Sequence, residues 1–326
     1  MRVGHGDPYG FGLAMGRLHR AFGDDGTGGM ASFDPARLPV AAIRALEEAV
    51  TRVFGFGAVP VAECRDLQIG SGRDAVPCRL YRGFGAAPPA PLVIYFHGGG
   101  FISGSLDSHD GVARALANAA RATVLSVGYR LAPEHPYPAA LEDGLAVTLR
   151  AWHHADHFAC DADRVMLAGD SAGGTIATVI ARLLAEEGRP VAGQVLFYPA
   201  TDLGRARFRR KGWRGLARLE QRALEQFRRL VLGQNGNFDD PLLSPLRADI
   251  PAGFPPAHIA VGGRDPLREE AKDYARRITS AGGRVAFHCY PSQPHGFLGF
   301  ARVMKDAGPA VAEAGKWIRG ERGESA

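Results

Sequence analysis

Val165-Met166-Leu167-Ala168-Gly169-Asp170-Ser171-Ala172-Gly173-Gly174 is the stretch on which the reading of this chain turns. An apolar run, Val165–Ala168, has the composition of a buried strand. A helical pattern from about Ala172 to Glu187 follows it. Between them, Gly169-Asp170-Ser171-Ala172-Gly173 fits G-x-S-x-G. A strand that turns this abruptly into a helix strains the backbone of the central serine and lifts its hydroxyl off the sheet edge. Small residues two places to either side are required because strand and helix nearly touch there. The helix N-terminus also favours negative charge developing beside it. The plain alternative is a small-residue turn with an ordinary serine. The flanking strand and helix favour Ser171 as a nucleophile.

Working outward, the same alternation repeats. Apolar runs at Leu92–Phe96, Thr123–Val127, Gln194–Tyr198, His258–Val261 and Val285–Tyr290 read as strands. Helical patterns at Ala113–Ala120, Leu141–Trp152 and Glu269–Ser280, and one ending near Arg319, read as the connections. Unbroken Val/Ile/Leu runs alternating with helices predict an α/β fold, a mostly parallel sheet with helices on both faces. Val59–Ile69 and Val76–Tyr81, joined by Gly70-Ser71-Gly72-Arg73-Asp74, predict an antiparallel hairpin ahead of it. Asp34-Pro35 reads as the start of an earlier helix reaching about Val53, with Leu38, Ala42, Leu46 and Val50 on one face.

If Ser171 is a nucleophile, it needs oxyanion donors, a base and an acid. His97-Gly98-Gly99-Gly100-Phe101 follows the Leu92–Phe96 strand. Three consecutive glycines weaken any element through backbone entropy, so a folded chain must gain something by keeping them. Close approach of backbone N–H groups to a ligand is one such gain, and an acyl-transfer oxyanion needs fixed donors of this kind. Gly99, Gly100 and Ala172 are the expected donors, with Gly98 as a further candidate. His97 precedes the serine, whereas chain order after such a turn runs nucleophile, acid, base. It is therefore read as bracing the glycine loop. His295, in the loop after the Val285–Tyr290 strand, is the expected base. Asp265, after His258–Val261, is the expected acid, with Asp202 in reserve. Asp265 followed by Pro266 also suits a plain helix cap.

The 326 residues carry a net charge of +5, which invites a nucleic-acid reading. Residues 203–235 hold ten Lys/Arg and two Glu, so they carry 10 − 2 = +8 and the remainder 5 − 8 = −3. One segment supplies the whole excess, which argues against a phosphate-gripping face. Leu216, Leu219, Ala223, Phe227 and Leu230 form an apolar stripe there, as in a packed amphipathic helix. No run approaches the apolar length of a membrane span, and the first twenty residues lack the core of a secretory signal. The four cysteines, Cys64, Cys78, Cys160 and Cys289, form no C-x-x-C pair and read as reduced thiols. The expectation is a cytoplasmic protein without a cofactor. His153 and His157 sit at a metal-like spacing but without an accompanying Glu, so no metal is expected.

Together these motifs resemble the hormone-sensitive-lipase-like esterases, in the bacterial GDSAG-type branch. The resemblance runs from about Val59 onward. Its carriers are His97–Phe101, Gly169–Gly174, Asp265-Pro266-Leu267, His295-Gly296-Phe297 and Tyr129-Arg130-Leu131-Ala132-Pro133-Glu134-His135-Pro136. It implies the α/β-hydrolase fold with a helical cap, and hydrolysis of short to medium carboxylic esters through an acyl-enzyme. It divides the chain into a cap region at 1–58, core at 59–202, a cap insertion at 203–236 and core at 237–326. It implies that Tyr129–Ala140 braces the neighbourhood of the nucleophile and that Phe101, Asp170 and Phe297 meet the substrate. The partner expected is a small-molecule ester, with a homodimer left open. An amidase, lactonase or deacetylase on the same residues, or a binding protein on this scaffold, are the alternatives. Two departures stand out: Glu269-Glu270, where such esterases often show Asp-Glu, and the Arg-rich 203–235 segment.

Overall fold

Eight strands form one sheet in the order β1-β2-β4-β3-β5-β6-β7-β8. They are β1 (Glu63–Ile69), β2 (Val76–Arg82), β3 (Ala90–Phe96), β4 (Thr123–Val127), β5 (Cys160–Asp170), β6 (Gly193–Phe197), β7 (Ala257–Gly262) and β8 (Val285–Tyr290). The computed structural model describes residues 38–204, 226–233 and 237–321. The expected hairpin is antiparallel, with Glu63 opposite Arg82 and Ile69 opposite Val76. β2 pairs antiparallel with β4, and every later pair is parallel. Cys64 lies opposite Tyr81 and Cys78 opposite Leu67, so the two thiols do not face each other across the hairpin.

Both faces of the sheet are covered, and the strand pattern shows why. In β3, Leu92, Ile94 and Phe96 point into one core, and Val93 and Tyr95 into the other. A side-chain period of two with apolar residues on both faces requires helices on both sides. α2 (Asp110–Ala120) and α6 (Ala307–Ile318) cover one face. α3 (Ala139–His153), α4 (Ala172–Glu186) and α5 (Arg268–Ser280) cover the other.

α1 spans Val40–Phe54 and contains no fully buried residue. Leu38 precedes it and is not helical. The expected start at Asp34-Pro35 lies outside the described residues, as do Leu216, Leu219 and Ala223 of the apolar stripe. Residues 226–232 are helical. Among the described residues no helix is long and apolar enough to cross a membrane.

Candidate active site

The C-terminal ends of β3, β5, β7 and β8 meet at one edge of the sheet, and the loops leaving them carry the residues singled out above. Ser171 stands between β5 and α4 at φ 52°, ψ −117°. An L-residue held there costs on the order of 1–3 kcal/mol, so the surroundings must enforce it. They do so through the backbone. The Ser171 amide donates to Phe197 O at 2.9 Å, and its carbonyl accepts from Thr175 and Ala200, each at 3.2 Å. Neither flanking glycine tolerates a side chain: a Cβ on Gly169 would lie 2.3 Å from Gly173 O, and one on Gly173 would lie 2.0 Å from Phe96 O.

The Ser171 hydroxyl is 2.9 Å from His295 Nε2. His295 Nδ1 is 2.9 Å from Asp265 Oδ2. The Asp265 side chain is fully buried, whereas that of His295 is 32% exposed. The inner carboxylate is thus dry and the imidazole stays reachable from outside. Asp265 also fulfils the plain reading, because its Oδ1 accepts from the Leu267 amide at 2.7 Å, just ahead of α5. One carboxylate serves both. The reserve candidate Asp202 faces elsewhere: Arg247 Nε donates to it at 2.9 Å.

Beside Ser171, the glycine loop presents free backbone donors. Gly99 (φ 109°) and Gly100 (φ 63°) adopt the left-handed region. Among the described residues their N–H groups meet no acceptor, while Gly99 O accepts from Ile102 and Ser103. Ala172 opens α4, where an N–H has no acceptor within its own helix. Gly98 differs from expectation. Its N–H donates to Asp170 Oδ1 at 2.9 Å, so it is not available to a ligand.

Two of the residues expected to meet the substrate are turned inward. Asp170 is one of them. It is buried, and its Oδ1 accepts from Tyr95 Oη at 2.6 Å and lies 3.5 Å from His109 Nε2. Burial alone would raise this carboxyl, but His109, Tyr95 and His97 together pull it below the ordinary carboxylate range. Burial likewise opposes the charge on His109, yet Asp170 and Glu47 raise its affinity for a proton. Phe297 is fully buried, packed edge-on against Tyr198 at 5.4 Å, and supports the His295 loop from below. Phe101, by contrast, lines a closed apolar pocket with Ile176, Val231 and Leu243.

Comparison with known proteins gives this geometry its family. The α/β-hydrolase-fold family model matches residues 93–299. Esterase LipI of Mycobacterium tuberculosis is 43% identical over 69% of this chain and 70% of its own. Carboxylesterase NlhH of the same species is 38% identical over 74% and 76%. The chain belongs to the hormone-sensitive-lipase-like family of α/β hydrolases. An ester hydrolase from the metagenome of Lake Arreo, solved with a bipyridine phosphonate derivative, superposes with a TM-score of 0.81 at 32% identity, covering 95% of this chain and 96% of the other.

Within this hydrolase, the glycine loop is held by His97 and the Tyr129 segment, both read from sequence as braces, and by Arg44, which sequence reasoning passed over. His97 stacks on Tyr129 at 4.2 Å, and its Nδ1 lies 2.7 Å from Gly98 O. Burial and the nearby His109 hold it neutral, with a proton affinity down to about 3. Tyr129 Oη donates to His97 O at 2.7 Å, and the Ala132 amide donates to Phe101 O at 2.9 Å. The Tyr129–Ala132 segment therefore clamps both ends of the glycine loop. Arg44 on α1 donates to Ile102 O and Ala132 O and pairs with Glu134 at 2.7 Å. From the other side, Phe227 meets the loop: a Cβ on Gly100 would lie 2.9 Å from its ring.

Proposed function

We propose that Ser171, His295 and Asp265 hydrolyse a carboxylic ester through an acyl-enzyme, with the amides of Gly99, Gly100 and Ala172 holding the oxyanion. The chain is a carboxylic ester hydrolase, like the relatives it matches at 38–43% identity. The single observation that carries the residue assignment is the unbroken hydrogen-bond chain Ser171–His295–Asp265 at 2.9 Å per link.

His295 Nε2 takes the hydroxyl proton as Ser171 Oγ bonds to the ester carbonyl carbon. The carbonyl oxygen becomes an oxyanion beside the free amides. Buried Asp265 accepts from Nδ1–H, fixes the tautomer and stabilises the imidazolium. The C–O bond then breaks, and the alcohol departs with the proton from Nε2. Water repeats the sequence with the same imidazole as base, which releases the acid and restores Ser171. A proton held on His295 stops the first step, so the rate falls on acidification.

Ser171→Ala is expected to lower kcat on a p-nitrophenyl ester by about 10⁴-fold or more. It should also abolish covalent labelling by a fluorophosphonate, which wild type accepts at Ser171. Turnover near wild type would sink the assignment. We read 1–58 and 203–236 as the cap. The contacts of Arg44 with Ile102 and of Phe227 with Gly100 support this, because they bring described parts of both regions onto the glycine loop. The four cysteines are free thiols, which supports a reducing compartment such as the cytoplasm.

A further inference from the structure

Glu270 follows Glu269, the position at which this chain has Glu where the esterases it resembles often show Asp; Glu270 itself matches their pattern. It is buried on the inner face of α5, only 7% exposed, five residues beyond Asp265. Its Oε1 accepts from the amides of Thr201 at 2.8 Å and Asp202 at 3.3 Å. Those amides belong to the loop after β6, which wraps the back of the nucleophile turn. Ala200 N donates to Ser171 O at 3.2 Å, and Thr175 Oγ1 donates to Ala200 O at 2.5 Å. Leu246 N in turn donates to Thr201 O at 2.8 Å. One carboxylate thus joins the strand end that supports Ser171 to the helix entered directly from Asp265. The proposed mechanism gives Glu270 no proton to move, and burying its carboxylate is costly unless hydrogen bonds offset the lost hydration, as the two amides do.

We infer that Glu270 is a positioning residue of the hydrolytic site: as a carboxylate it clamps the backbone behind Ser171 to the helix that follows Asp265, and taking up a proton releases the clamp. The inference rests on the Ser171–His295–Asp265 reading above. An ionised acceptor holds two amides more strongly than a neutral one. The acidic groups that face Glu270 are Asp202, from the loop after β6, and Asp265, from the loop after β7. Of the neighbouring cations, Arg247 is engaged with Asp202, and Arg277 with the carbonyls of Leu246 and Ala248. Burial pushes the Glu270 carboxyl up to about 7. The two amides oppose this shift, and the like charges of Asp202 and Asp265 add to it. The clamp therefore changes state in the range where imidazole bases also titrate.

The experiment is the pH dependence of kcat/KM, which reports the free enzyme. In wild type the acid limb should fall about 100-fold per pH unit, for two protons, rather than about tenfold for one. Glu270→Gln removes the charge but keeps an amide oxygen as acceptor. It removes the same charge that the proton removes, so its plateau is expected to fall about 100-fold or more, the loss that the steeper wild-type limb requires. Its limb should become single-proton. A wild-type limb of about tenfold per unit overturns the inference, as does an E270Q limb still falling about 100-fold per unit. Should E270Q fail to fold, the wild-type slope alone decides. The two readings fail differently. Turnover by Ser171→Ala sinks the triad. An inactive Ser171→Ala together with an E270Q profile shaped like wild type sinks only the clamp.

Discussion

Two aspartate–histidine pairs lie within this site, and they do opposite things. In Asp265–His295 the carboxylate is fully buried and the imidazole is 32% exposed, 2.9 Å from the Ser171 hydroxyl. In Asp170–His109 both side chains are closed off, at 8% and 9% exposure. The second pair ends on the Gly98 amide and the Tyr95 hydroxyl, not on a nucleophile. The residues are the same types and both pairs adjoin Ser171, Asp170 by direct sequence. Solvent access decides the difference. An imidazole open to the substrate can exchange a proton on each turnover. One sealed beside Asp170, which raises its proton affinity against the effect of burial, has no route to a substrate and serves the loop instead. In the proposed mechanism the first pair supplies the chemistry, while the second anchors the glycine loop through Gly98.

The largest effect that would test this contrast is on the open pair. Asp265→Asn keeps the shape but no longer holds the imidazole tautomer, so kcat should drop by roughly 10³–10⁴-fold, with less change in KM. Steady-state kinetics on a short-chain ester measure this. A loss of only a few-fold would mean that the carboxylate is merely the turn cap its second oxygen already forms.

Asp170→Asn should cost less, about 10–100-fold in kcat, because it loosens the Gly98 anchor without removing an oxyanion donor or the base. The shape of the pH–rate profile should survive, since His295 is untouched. If Asp170→Asn were as slow as Asp265→Asn and flattened the profile, the closed pair would have to be credited with proton transfer.

The open pair was legible in the sequence and the closed pair was not, for a physical reason. Ser171, Asp265 and His295 each follow a strand in the order that a nucleophile turn of this kind dictates, so strand assignment alone placed them at one sheet edge. Asp170–His109 depends on register. β3 and β5 pair with Tyr95 opposite Ala168, so Asp170, two residues further on, shares a sheet face with Tyr95 and meets the start of α2. Nothing local in the sequence announces that juxtaposition. The same gap explains the error on Phe297: a phenylalanine beside a catalytic loop can face either way, and only the packing against Tyr198 shows that it turns inward. Arg44 escaped notice because an arginine on a half-buried amphipathic helix reads as part of its solvated face. Gly98 could not be told from Gly99 and Gly100 because three adjacent glycines look alike in sequence, although among the described residues Gly98 is the one whose N–H donates to a carboxylate.

The smallest effect concerns His109. Its ring lies behind the glycine loop, so His109→Gln should leave kcat within about tenfold of wild type, with the loss falling on stability. The sign follows from linkage. Asp170 raises the proton affinity of His109 above the ordinary value of 6.5, despite burial. A group that binds a proton more tightly in the folded state stabilises the fold fully below its unfolded value, and that contribution fades as pH rises through the folded one. The melting temperature of wild type should therefore exceed that of His109→Gln by most below pH 6.5, and the gap should narrow with increasing pH. Asp170 works in the reverse sense. Its lowered affinity contributes stability above its ordinary 3.8, and that contribution is lost as pH falls through the folded value. The pair is thus at full strength only between the two limits. A melting-temperature gap that is constant from pH 5 to 9 would show that His109 sits there as a neutral ring. The counter-charge beneath the glycine loop would then have to come from elsewhere, and the contrast between the two pairs would reduce to one of packing.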